Sequence, residues 1–151
     1  MMPSRIHIEC NGLFELPWRT VHLEEWLSEV ALGENTDLFK LGVFLVNDEE
    51  LLRKNQEFLD HDTFTDIITF DYSSRGRLKG ELWISVERAA ENAKKIGMSV
   101  DNEILRLLAH GVLHLAGQGD KSKEESVEMS EKENRALENW TARSVPRGTQ
   151  S

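Results

Sequence analysis

Apolar positions along the chain fall into two kinds of block, some alternating or continuous over strand length, others spaced for a helix. Ile6 to Glu9 alternates and predicts a short strand. Pro17 suits the first turn of a helix, and Trp18, Val21, Leu23, Trp26, Leu27 and Val30 form a helical stripe ending near Gly33. Leu41 to Val46 is an unbroken apolar run of strand length, fit for a strand covered on both faces. Asn47 and Asp48 are caps for a helix running to about Leu59. After a polar turn, Thr65 to Tyr72 is rich in β-branched and aromatic residues and predicts a strand. It pairs across a long loop, Ser73 to Lys79, with a returning strand from Gly80 to Val86. Ala89, Ala90, Ala93 and Ile96 mark a helix stopped by Gly97.

The next block sets the chemistry. From Ile104 to Ala116 every residue is apolar or Gly except Arg106, His110 and His114. A helix apolar all round is a buried helix. The three exceptions recur every fourth residue and form one row, drifting about 40° per step. Two imidazoles on successive turns can reach one point. Gly117 offers a left-handed stop, after which the chain can bring Asp120 back to them. A last helix follows from Ser122, which forms a capping-box pattern with Glu125, to Trp140, with Met129, Ala136, Leu137 and Trp140 as its apolar face. The order β-α-β-α-β-β-α-α-α predicts an α+β fold. Its small mixed four-stranded sheet carries about five helices, with the metal-bearing helix central and buried. Residues 1–140 are expected to form one domain, and residues 141–151 a disordered tail.

Length and composition fit one globular domain. No stretch approaches the ~18 unbroken apolar residues of a membrane span, and MMPSRIHIEC lacks the apolar core of a secretion signal. The single Cys10 precludes an internal disulfide and fits a reducing compartment; it and His22 read as core and surface residues, not as ligands. The net charge of −9 repels nucleic acid at long range, so a nucleic-acid substrate would need a local basic patch.

The spacing H-x-x-x-H-x-x-G-x-x-D makes His110, His114 and Asp120 a zinc ligand set with one coordination position open. The plainer reading of the two imidazoles is as hydrogen-bonded boundary residues. What favours metal is the fall of stop glycine and acid at the ligand spacing of the metzincin motif. Metzincins carry a Glu after the first His as general base; Gly111 stands there, which weakens a peptidase reading. Gly111 itself signals either close approach of backbone or substrate, or tight helix packing. Two neutral imidazoles and one carboxylate leave Zn²⁺ a formal +1, which favours an anionic substrate such as a phosphodiester, attacked by metal-bound water. Candidate phosphate contacts are Arg75, Arg77 and Lys79 in the hairpin loop, Lys121 and Lys123 beside the third ligand, and Arg106, for which pairing with an acid is the competing role.

HGVLHLAGQGD resembles the motif H-G-x-L-H-L-x-G-Y-D-H of the YbeY family, through His110, Gly111, Leu113, His114, Leu115 and Gly117. Asn55, Asp62, Thr65, Asp66 and Phe70 match a second motif, N-x-x-Y-R-x-x-D-x-P-T-D-V-L-S-F, and Gly80 to Ile84 resembles the family strand G-D-I-x-I. The resemblance spans roughly Leu41 to Leu137. It implies an α+β fold with a metal site at one end of a cleft and zinc-dependent cleavage of single-stranded RNA. It also implies a role in small-subunit rRNA maturation and ribosome quality control, and a cytoplasmic location. Asp120 stands where the family has His, Gln118 and Gly119 replace Tyr and Asp, and Leu59 replaces an Arg of the RNA cleft. The alternatives are a zinc metallopeptidase and a non-catalytic ribosome-associated zinc module.

Overall fold

The computed structural model describes residues 4–10, 12, 14–59 and 65–144. Its elements are β1 (Ile6–Glu9), α1 (Thr20–Gly33), β2 (Asp37–Val46), α2 (Asp48–Leu59), β3 (Ile67–Asp71), β4 (Arg77–Ser85), α3 (Val86–Ile96), α4 (Val100–Leu115) and α5 (Lys123–Ser144). This is the expected number and order of strands and helices. The sheet runs β1-β2-β4-β3. β1 and β4 flank β2 in parallel, and β3 closes one edge antiparallel to β4.

The sheet has two unequal cores. Leu41, Val43 and Leu45 of β2 and Leu78, Leu82 and Ile84 of β4 point to one face, where they meet Leu23, Trp26 and Leu27 of α1, Ala89 of α3, the apolar sides of α4, and Ala136 and Trp140 of α5. On the opposite face Val46 and Ile68 pack under Leu51 of α2, with Phe44, Phe70 and Trp83 beside them. A strand between two such layers must be apolar on both sides, which accounts for the unbroken run from Leu41 to Val46.

Four departures from the expected boundaries bear on packing and on the site. α1 starts at Thr20, so Pro17 lies outside it. Trp18 turns in the lead-in instead, edge-on to Trp140 with ring centroids 6.0 Å apart, and this packing outranks the local preference of Pro for a helix start. β2 begins four residues early, at Asp37, because it pairs there with Arg77. The hairpin loop is short: Ser74 and Arg77 bond each other's backbone across Arg75 (φ 48°) and Gly76 (φ 77°). Positive φ at both central residues is what a two-residue type I′ turn needs, and Arg-Gly signals it weakly beside Asn-Gly. Arg77 and Lys79 are therefore strand residues. Finally, α5 continues four residues past Trp140 to Ser144, so residues 141–144 are helix and not tail. Residues 145–151 and the turn at 60–64 with Asp62 lie outside the described residues.

Candidate metal centre

α4 is fixed at both ends by its sequence. The Ser99 hydroxyl accepts from the Asn102 N–H at the start. At the finish, Gly117 (φ 107°) turns the chain, and the Gln118 N–H donates to the Leu113 carbonyl at 2.9 Å. Every residue from Glu103 to Leu115 is buried except Arg106, His110 and His114. Arg106 and His110 are half-buried and His114 is exposed, so the polar row emerges toward solvent as the helix ends. Gly111 faces the sheet: a Cβ there would stand 2.5 Å from Leu82 Cδ2 and 3.2 Å from Ile67 Cδ1. Of the two reasons for a glycine inside this helix, packing against strand side chains is the one the structure displays.

The imidazoles of His110 and His114 lie parallel, 7° between planes and 6.4 Å between centroids. His110 Nε2 faces Asp120 Oδ2 at 3.6 Å. Asp120 comes back on a tethered loop. Lys132 Nζ donates to Gln118 Oε1 at 2.7 Å and to Glu34 Oε1 at 2.6 Å. Ser122 and Glu125 form the reciprocal capping box, with Glu125 N–H to Ser122 Oγ at 3.0 Å and Ser122 N–H to Glu125 Oε1 at 3.3 Å. Among the described residues, no three His, Cys, Asp or Glu side chains are gathered closely enough to form a ready-made cation cage. The donor chemistry nonetheless suits a divalent ion. Two imidazoles and a carboxylate are zinc-type ligands, and the His110 nitrogen toward Asp120 is the one not engaged elsewhere.

The other His110 nitrogen, Nδ1, lies 2.7 Å from Glu133 Oε2. Arg106 Nη1 donates to the second oxygen of the same carboxylate at 2.8 Å. Arg106 also grips Glu103 with two nitrogens, Nε and Nη2. Glu103 is fully buried and receives a further bond, 3.3 Å, from Asn92 Nδ2, which donates to Asp66 Oδ2 at 3.0 Å as well. A polar chain thus runs Asp66–Asn92–Glu103–Arg106–Glu133–His110, drawing on α3, α4 and α5 and on Asp66 just before β3. Its electrostatics are consistent. Burial opposes a charged His110, but the bond to Glu133 and the charges of Glu133, Asp120 and Asp66 outweigh it and raise the pKa. Burial likewise pushes the Glu133 carboxyl up, and bonds from His110 and Arg106 hold it below its ordinary value. Bonding to Glu103 raises Arg106 further.

Arg106 is therefore spent on two carboxylates. Arg77 lies over the Phe39 ring at 5.1 Å, and Lys79 is exposed two residues from the turn. Lys121 and Lys123 are exposed beside Asp120. Leu59 ends α2, and its side chain is not among those described. Cys10 packs against the main core and His22 is exposed. Sequence reasoning missed Glu133 and Glu103. A signal existed for the first: Met129, Glu133, Ala136 and Trp140 share one helical face, so an acid stands in the buried stripe of α5.

A family model described as Endoribonuclease YbeY matches residues 17–141. The Endoribonuclease YbeY of Bacteroides thetaiotaomicron is 42% identical over 113 residues, 75% of this chain and 82% of that protein. The Flavobacterium psychrophilum protein of the same name is 39% identical over 124 residues, 82% of this chain and 88% of its own length. The solution structure of a Thermotoga maritima protein superimposes with a TM-score of 0.61 at 28% identity, covering 97% of both chains. With the family's histidine row on a buried helix and relatives aligned over most of its length, this chain belongs to the YbeY endoribonuclease family.

Proposed function

We propose that the protein is a metal-dependent endoribonuclease that cuts single-stranded RNA during maturation of small-subunit rRNA, with a part in ribosome quality control. The observation that carries the reading is the His110–Asp120 pair, beside the parallel His114 ring, at the open end of a buried helix in a YbeY chain. The catalytic unit is residues 1–140 as one hydrolase domain. His110, His114 and Asp120 would hold the ion, and their chemistry favours Zn²⁺. When bound, such an ion supplies Lewis acidity toward a phosphoryl oxygen and acidifies water. The protein's own contribution is placement. The buried body of α4 fixes the two imidazoles, the Gly117 turn and the Lys132–Gln118 tether fix Asp120, and the exposed His114 keeps the site open to a polymer.

Substrate phosphates would be met by Arg75, Arg77 and Lys79 on the β3–β4 hairpin. Arg106 would act on the substrate only through the network, since both faces of its guanidinium fork are taken. The natural partner is rRNA within the small subunit, in the cytoplasm; among the described residues, no helix is long and apolar enough to cross a membrane.

Purified protein should carry roughly one zinc per chain, and His114→Ala should lose both metal and cleavage of unstructured RNA. Full cleavage by that variant after it has lost its metal would reject the mechanism. Cleavage of casein but not of RNA would favour the peptidase alternative, which Gly111, in the place of the general base, argues against.

A further inference from the structure

We propose that Glu133, held by Arg106, is a positioning residue that dictates which nitrogen of His110 carries the proton and so keeps Nε2 bare toward Asp120. The inference rests on the reading of His110 as a metal ligand.

For the neutral ring, the form that ligates a metal, the geometry leaves one arrangement. Glu133 lies on α5, and its side chain is 6% exposed. Its two oxygens face two groups on α4: Oε1 takes a hydrogen from Arg106 Nη1 at 2.8 Å, and Oε2 is 2.7 Å from His110 Nδ1. An ionised carboxylate only accepts, so Nδ1 must be the nitrogen that donates. A neutral imidazole has one proton. With that proton on Nδ1, Nε2 has a free lone pair, and Nε2 is the nitrogen 3.6 Å from Asp120. Histidine ligands of metals commonly donate their second nitrogen to a carboxylate in this manner.

Arg106 makes the arrangement robust. It is bonded to Glu103, which is itself fully buried, so the guanidinium cannot turn away from Glu133 without stranding a charge. Glu133 thus always presents one oxygen to a donor that never loses its proton and the other to His110.

The consequence is specific to Glu133→Gln. A glutamine has one acceptor oxygen where the glutamate had two. Arg106 can only donate, so it claims that oxygen, and the amide NH₂ turns to His110. Facing a donor, Nδ1 must accept, the proton moves to Nε2, and the lone pair aimed at Asp120 is lost. Shape and volume hardly change, so a merely structural Glu133 would leave the tautomer and the metal affinity as they were.

Two measurements test this. Ring ¹⁵N shifts of His110 in the metal-free protein, at a pH where the ring is neutral, should report protonated Nδ1 and bare Nε2 in the unaltered chain, and the reverse in E133Q. Zinc affinity by competition with a chromophoric chelator should fall about 10- to 100-fold in E133Q, the range for losing such a partner, with the melting transition retained. A bare Nδ1 in the unaltered protein overturns the proposal and needs no variant to fold. Equal zinc affinity in folded E133Q overturns it as well. If the unaltered protein has the expected tautomer and yet binds no zinc, the metal reading fails while the tautomer assignment stands.

Discussion

At the scale of single residues, chemistry here is decided by what each polar group faces. Arg106, His110 and His114 occupy one row with one spacing, yet end in three conditions: clamped between two acids, held at one nitrogen, and open. Gly111 is a further case. Alanine is favoured over glycine in a helix by about 1 kcal/mol, but its methyl would meet Leu82, itself fully buried between α4 and the sheet. Overpacking of that kind costs about 1–3 kcal/mol. Gly111→Ala should therefore melt a few degrees lower than the unaltered protein in a calorimetric scan. A higher melting temperature would show that Leu82 yields and that packing is not the reason for the glycine.

At the scale of elements, the β3–β4 hairpin and the α4–α5 pair carry the functional readings. Glycine lets α4 and the hairpin approach: a Cβ on Gly80 would stand 2.5 Å from the Phe70 carbonyl oxygen and 2.9 Å from Leu115 Cδ1. The two-residue turn puts Arg75 at the tip, with Arg77 and Lys79 on β4 behind it. All three are exposed, so replacing them together with serine should weaken RNA binding while barely affecting stability. If the three contact phosphates, the slope of log affinity against log salt should become shallower by about 2, at roughly 0.7 per phosphate on a single strand. An unchanged slope would remove the hairpin from the RNA track. The sequence predicts a longer loop here than the structure has. The turn closes through positive φ at Arg75, a conformation that side chain does not advertise.

At the scale of the whole molecule, the main core and the candidate metal site are largely separate. Leu23, Trp26, Leu27, Leu41, Leu82, Ile84 and Leu107 are buried with no help from the histidine row, and the Trp26 indole N–H donates to the Ala136 carbonyl at 2.8 Å, joining α1 to α5. A domain whose metal is structural unfolds when the metal is removed. Chelation should instead leave this protein's far-ultraviolet circular dichroism and cooperative melting in place while abolishing cleavage. Loss of the melting transition on chelation would favour the non-catalytic zinc module. The net charge of −9 also acts at this scale. It leaves RNA attraction to local patches and sets the bulk of the surface against it.

The sequence by itself determined the nine elements, the buried helix with its histidine row, the Gly117 turn and the Ser122–Glu125 capping box, because each depends on residues within about four positions of one another, where helix and turn geometry leave little freedom. Tertiary structure alone decided where α1 begins, how tight the hairpin is, and that Glu133 and Glu103 complete the polar chain. Those outcomes turn on contacts such as Trp18 with Trp140 and His110 with Glu133. Such partners are brought together only when separate elements pack into a common core, and no local spacing encodes which of them will meet.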